Sequence, residues 1–449
     1  MRPIALVLVL CSAAHGGGQA LAPGQQVAWQ PTGTLGFRLR ASRTIRLCTV
    51  SGGKKLLATH LVRSPILDIR LEETRRHPRL RITLHSATGR ATRGMIYLSH
   101  LKAGQWYHLA VAWDAPTGRL EVYLNGVLQQ YALAGFKSPV PWQPPAARTG
   151  TLELGNTLGE AARLEIDGVR LWPTFLAEAE LRPALAAHKL TPLAGEGRTP
   201  HTGPLDLSRY TLTPIYQADF AKPLSVVAEA DLFEGNTRVR LPDGRDWVFE
   251  GPGKAWTQCG RLHIESARPK EAGHVVLWNT RAFPADFLLE FGMSPQDSSM
   301  GLNIVFFCAT SRVGGGIFDL GLPRRDGVFR NYHSGALDSY HVSYWAVAPT
   351  GVPRRTANLR KNHGFFLPAC GTDRIAGQGV GPHTVRLLKV GNKIWLETRG
   401  QLSLVFDDDG ATYGPVLGGG RMGLRQMGHT HRASYTHFKV WKVGARSGK

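Results

Sequence analysis

Short runs of Val, Ile, Leu, Phe and Tyr recur along this chain between clusters of Gly, Pro, Asn and Asp, and helical periodicity is almost absent. Runs of roughly four to eight such residues bury their apolar side chains only by pairing with neighbouring strands, and many of them closed by turn residues make a sandwich or a barrel. The 52 glycines and 28 prolines are therefore read as the turns of an all-β protein. The exception is residues 176–190, where Ala and Leu fall at helical spacing and predict one short closing helix.

At 449 residues the chain is longer than one hydrophobic core usually serves, so two domains are expected. The strand signals form two series, over about residues 27–190 and 213–449. Between them, residues 191–212 carry Pro192, Pro200, Pro204, Gly195, Gly197 and Gly203 and have linker composition. Ahead of both, Arg2, an apolar run over residues 4–10 and then small residues read as a secretory signal over residues 1–20, cut after Ala14 or Ala20. Cys11 invites a lipoprotein reading, but Leu10 stands where that signal needs Gly or Ala. No later run is apolar and long enough to span a bilayer, so a soluble protein, secreted or periplasmic, is expected. Cys48, Cys259, Cys308 and Cys370 lack the paired spacing of a zinc or redox site, and Cys308 reads as a buried thiol.

A formal charge of +21 asks for a partner. Lys and Arg are scattered through both halves without a nucleic-acid motif, and an export signal argues against that target. An acidic polysaccharide fits better, because long-range attraction concentrates an extracellular polyanion on a basic protein. An Arg-rich genome accounts for the charge equally well when it is taken alone.

The densest chemistry lies between Asn331 and Phe366, where His333, Tyr340, His341, Ser343, Tyr344, Trp345, Asn358, Arg360, Lys361 and His363 crowd together. Burial of each such group carries a desolvation cost unless a partner compensates for it, so the crowding points to a site for a polar, anionic ligand. In a regular strand His341, Ser343 and Trp345 share one face and Tyr340, Val342 and Tyr344 the other. A second strand places Lys393, Trp395, Glu397 and Arg399 on one face, where Trp395 offers a stacking platform for a sugar ring.

Two resemblances follow from these runs. In the first half, Trp106-Tyr107-His108-Leu109-Ala110 with Leu120-Glu121-Val122-Tyr123-Leu124-Asn125-Gly126 and Ile166-Asp167-Gly168-Val169-Arg170-Leu171-Trp172 resembles the laminin-G-like, concanavalin-type jelly roll. Asn125-Gly126 supplies the positive-φ residues of a tight hairpin turn. Trp106 and His108 are read there as packing residues, and no chemistry is assigned to this half. In the second half, Tyr340-His341-Val342-Ser343-Tyr344, Asn358-Leu359-Arg360-Lys361-Asn362, Gly364-Phe365 and Gly423-Leu424-Arg425-Gln426-Met427 with Tyr435 and Phe438 resemble the bacterial YesU-like family. That resemblance implies a concanavalin-like fold and an association with pectin-type polysaccharide. The expected architecture is thus two concanavalin A-like sandwiches in tandem after a signal peptide.

Three functions compete for the second half. A glycosidase needs two carboxylates flanking the bond, and no Glu-x-Asp-x-x-Glu run is present, although Glu265, Glu290, Asp319 and Glu397 could converge in space. A polysaccharide lyase needs a cation for the uronate carboxylate, a base for the C5 proton and an acid for the leaving oxygen. Arg360 and Lys361 supply the cation, His333 or His341 the base, and Tyr340 or Tyr344 the acid. Asn331, Ser343, Tyr344, Trp345, Asn358, His363, Trp395, Gln426 and His429 are expected to bind substrate. The third function is glycan binding without chemistry. His429, His431 and His437 lack companions at metal-ligand spacing, and Asp407-Asp408-Asp409-Gly410 is read as a solvated turn, with a structural Ca²⁺ the alternative; no cofactor is expected.

Overall fold

The computed structural model describes residues 18–41, 57–73, 79–87, 91–97, 104–128, 143–145, 149–154, 164–177, 180–181, 203–224, 226–228, 233–234, 237–238, 246–267, 273–319, 321–349, 351, 353–411 and 413–446. Nearly all regular structure among them is strand. Among the described residues no helix is long and apolar enough to cross a membrane. Residues 1–17 of the expected signal peptide, and most of the helix expected over 176–190, lie outside the described residues, while Gln19 and Ala20 pair antiparallel with Leu171 and Arg170.

In the first sandwich a six-stranded sheet faces a five-stranded one. Phe37, Leu39, Ile69, Ile82, Leu109, Val111 and Trp113 fill the space between them. Trp106–Asp114 and Arg119–Leu124 pair antiparallel as the alternation predicts. Asn125 (φ 50°) and Gly126 (φ 73°) then turn the chain so that Val127 returns opposite Leu124. His108 is buried. Trp106 departs from the core reading, being half-buried under the guanidinium groups of Arg38 and Arg40.

The second sandwich has a back sheet running Gly253–Gln258, Arg261–Ser266, Arg432–Ala445, Phe287–Pro295, His383–Val390, Lys393–Thr398, Gln401–Asp407, with Tyr210–Ala218 also paired to Arg432–Ala445. The front sheet runs Val226–Ala228, Trp247–Glu250, Val275–Asn279, Arg421–Gln426, Gly301–Ser311, Leu337–Val347, Thr356–Asn362, Phe366–Thr372. Trp247, Phe291, Phe307, Tyr340, Tyr344, Leu387, Leu396, Leu424 and Phe438 interlock between the two.

Part of the expected linker is not one. Leu402 N donates to Gly203 O at 2.7 Å, and Leu205 N to Glu397 Oε2 at 2.6 Å. Leu205, Leu207, Tyr210 and Leu212 pack on Leu288, Leu388 and Val443 at the outer surface of the back sheet. Apolar residues at alternating positions outweigh the Pro and Gly around them, so residues 203–212 belong to the second sandwich, while 191–202 lie outside the described residues.

One connection shapes the front face. Gly301–Ser311 and Leu337–Val347 are hydrogen-bonded neighbours, yet residues 312–336 run between them. This cap folds over the outer side of the front sheet, and its Ile317, Phe318, Leu322, Phe329 and Tyr332 form a second apolar cluster with Trp278, Ile304, Phe306 and Leu337.

Candidate functional site

Strand alternation sorts the dense segment into two faces. Ala357 and Leu359 lie in the core between the sheets, so Asn358, Arg360 and Asn362 project outward beneath the cap. The neighbouring strand matches them, with Ser339 opposite Asn362, His341 opposite Arg360 and Ser343 opposite Asn358. Two strands from Ser343, across Ile304, Arg425 projects to the same side. His341 (2 % exposed), Arg360 (0 %), Arg425 (0 %) and Arg354 (8 %) are all buried there.

Cation and ring pack in layers over this face. The Arg360 guanidinium lies 3.8 Å from the centroid of the Phe365 ring and donates to the Phe365 carbonyl. That of Arg425 lies 4.1 Å from the centroid of Phe329. The two rings meet edge to face at 5.4 Å, and half-buried His333 stands 4.8 Å from Phe329 and 4.3 Å from Phe365. Stacking of this kind lets a guanidinium be buried at lower cost than a naked charge.

His341 sits in the middle. Asn362 Nδ2 donates to its Nδ1 at 2.9 Å and to Ser339 Oγ at 3.0 Å. Burial, with the positive charges of Arg360, His333, Arg425 and Arg354 adding to it, holds its pKa well below the ordinary imidazole value. The ring is therefore neutral at neutral pH. Arg354 Nη2 donates to Ser343 Oγ at 2.6 Å, and Arg354 Nε to Thr356 O at 3.0 Å. Asn358 Oδ1 accepts from Thr356 Oγ1 at 2.8 Å, while Asn358 Nδ2 is buried without an acceptor.

The structure thus joins His333, His341 and Arg360 but separates Lys361 and Tyr340 from them. Adjacent strand residues point to opposite faces, and Lys361 turns into the core, where Nζ lies 2.7 Å from Asp408 Oδ2 and 2.7 Å from Gly414 O. Tyr340 donates to the same Asp408 oxygen. Asp408 is 1 % exposed, so the aspartate run is not simply a solvated turn. Tyr344 is also core. Trp345 leaves the expected His341 face because a bulge shifts the register between Asn303–Trp345 and Ile304–Ser343; it packs between the sheets instead.

The remaining expected residues scatter. Trp395 shares a face with Lys393 and Glu397, but that face is the outside of the back sheet, where Trp395 packs beside Leu205 and Leu388. Gln426 Nε2 donates to Ile264 O and His431 O. Asn331 is tied to Asp326 within the cap, and exposed His363 reaches Gly335 O at 3.2 Å. His429 lies near Arg425 and is hydrogen-bonded to the backbone of Val347 and Gly301. Arg425 and Arg354 were not singled out from sequence, although Arg425 stood in view as a charge alternating with Met422 and Leu424.

The carboxylates do not converge here. Glu265 pairs with Arg432, Glu290 with Arg386 and His437, and Glu397 with Arg386, all on the back sheet. Asp319 accepts from Gly316 N in the cap. Glu250, under the cap, is held by Arg325, Tyr332 and Trp278. Among the described residues no three His, Cys, Asp or Glu side chains group as a metal site.

Residues 232–440 match the profile "Domain of unknown function (DUF1961)", and residues 45–182 that of the concanavalin A-like lectin/glucanases superfamily. The uncharacterized protein YesU of Bacillus subtilis (strain 168) is 34% identical over 207 residues, 45% of this chain and 92% of YesU. A crystal structure of a Bacillus subtilis protein of unknown function with a galectin-like fold matches at TM-score 0.44 and 29% identity, covering 53% of this chain and all of that one. The laminarinase from Rhodothermus marinus matches at TM-score 0.35 and 10% identity, covering 52% of this chain and 99% of that enzyme.

Proposed function

This chain belongs to the family described as a domain of unknown function, DUF1961, and from that premise we propose that its C-terminal sandwich recognises an acidic, uronate-bearing polysaccharide on the outer face of the front sheet, in a protein that is exported. The carrying observation is the opposition of His341 and Arg360 on one buried face whose neighbours Arg354, Arg425 and His333 are also cationic or basic. A guanidinium grips a carboxylate through two parallel hydrogen bonds, which suits a uronate better than a neutral sugar. The net charge of +21 favours a polyanion at longer range. Export rests on Arg2 and the apolar run that follows it. Because the cap covers the site, ligand entry requires residues 312–336 to lift.

A second reading, lyase-type β-elimination, is favoured by the state of His341. Its ring is neutral, and were the Asn362 amide turned so that its unpartnered Oδ1 accepts from Nδ1–H, Nε2 would be left with its lone pair free to act as general base; a bound carboxylate would raise its pKa toward a working range. His341 would take the C5 proton as the C4–O bond breaks and the C4–C5 double bond forms. With Tyr340 turned to Asp408, His333 is the group in this cluster that can return a proton to the leaving oxygen.

The test is to incubate the mature protein with pectic, alginate, ulvan and glycosaminoglycan polymers while following retention on each polymer and the ultraviolet absorbance of an unsaturated uronate. Retention with absorbance supports elimination, and retention alone supports recognition without chemistry. If no acidic polymer is retained, the proposal is lost. Where absorbance develops, His341→Ala should abolish it with little change in retention, whereas Arg360→Ala should reduce both.

A further inference from the structure

We propose that the front face holds two anion positions, so that its ligand is a contiguous oligouronate with carboxylates on successive units and not an isolated uronate. This rests on the recognition reading above and narrows its ligand. The first position is the His341–Arg360 pair. The second lies two residues along the same two strands, where Ser343 faces Asn358; two residues of strand span about 7 Å. Arg354 reaches this level from outside the strand and places Nη2 2.6 Å from Ser343 Oγ.

The observation pointing to a ligand is Asn358. Its side chain is 0 % exposed, its Oδ1 is satisfied by Thr356 Oγ1, and its Nδ2 donor has no acceptor. A buried donor left unsatisfied is costly, and an oxygen arriving beside Arg354 would satisfy it. Asp373, whose carboxyl feels the Arg354 charge, accepts from the backbone N–H groups of Ala346, Ile375 and Ala376. Arg354 and Arg360 both act on His341, so the two positions lie in one electrostatic field.

The experiment compares a monouronate with a contiguous trimer of the same uronate by calorimetry, using the full chain. Wild type should prefer the trimer by tenfold or more. Asn358→Asp keeps the acceptor for Thr356 and replaces the orphan donor with a negative charge; it should collapse that preference toward unity. Arg354→Lys, which keeps the charge and loses the planar fork, should reduce it in part, with the thermal midpoint of each variant serving as the folding check. If the wild type shows no preference, or Asn358→Asp weakens both ligands equally, the second position is refuted while recognition stands. If the wild type binds neither ligand, both proposals fall together.

Discussion

Arg325 and Glu250 meet in a two-point contact beneath the cap, with Nη2 2.5 Å from Oε1 and Nε 3.2 Å from Oε2, and their side chains are only 7% and 4% exposed. The same carboxylate accepts from the Tyr332 hydroxyl at 2.8 Å and the Trp278 indole at 2.9 Å. One sheet residue thus fastens two cap residues, which explains how a long connection lies closed over polar side chains.

Glu250→Ala should therefore loosen the cap before it unfolds the sandwich. Stranding the Arg325 guanidinium costs about 3–5 kcal/mol. The expected result is a lower urea midpoint together with faster hydrogen exchange in residues 312–336 than in the Thr356–Asn362 strand. Uniform acceleration across both would argue against a separately hinged cap.

Stability should fall as pH drops below about 6.5, the ordinary imidazole value. Burial, aided by Arg425 and His429, pushes His274 down to about 3, and His341 is also held well below normal. In the window between 6.5 and each folded value the unfolded chain binds more protons. The neutral-histidine contribution is thus full above 6.5 and is lost as pH falls toward the folded value, at up to about 1.4 kcal/mol per pH unit for each group. Denaturant titrations at pH 7.5, 6 and 5 should show this slope, and His341→Gln should lessen it by about one proton.

Lys361 should prove a core residue. Lys361→Ala leaves Asp408 buried without its cation and should cost about 3–5 kcal/mol. In a double-mutant cycle with Asp408→Ala the two losses should be far from additive. A fully stable Lys361→Ala protein that had lost polymer binding would instead put Lys361 in the site.

Cys308 should resist modification until the protein unfolds. It is 2% exposed, and burial pushes its thiol up to about 12. Cys259 is exposed. Iodoacetamide at pH 8 followed by peptide mapping should label Cys259 in the native protein and Cys308 only in denaturant.

Much of this was legible in the chain. The hairpin of Trp106–Asp114 and Arg119–Leu124, the Asn125-Gly126 turn that follows it and the strands around His341, Arg360 and Trp395 follow from period-two patterning and turn chemistry, which act over a few residues. The same alternation already sets Arg360 and Lys361 on opposite faces. What it leaves undetermined is which face meets the other sheet, because that depends on contacts between strands far apart in sequence. Lys361 became a core cation through Asp408, Trp345 changed faces through a bulge against Asn303, and residues 203–212 left the linker by packing on the back sheet.

By itself, the sequence determined an all-β chain of two sandwiches and a segment unusually rich in basic and aromatic groups, since local pattern and composition suffice for both. Only the tertiary structure decided that His341, Arg360, Arg354 and Arg425 share a face, that residues 312–336 close over it, and that Glu265, Glu290 and Glu397 lie on the other sheet. Each of these follows from strand order and register, which are settled by burying two apolar faces against each other and not by any single run of residues.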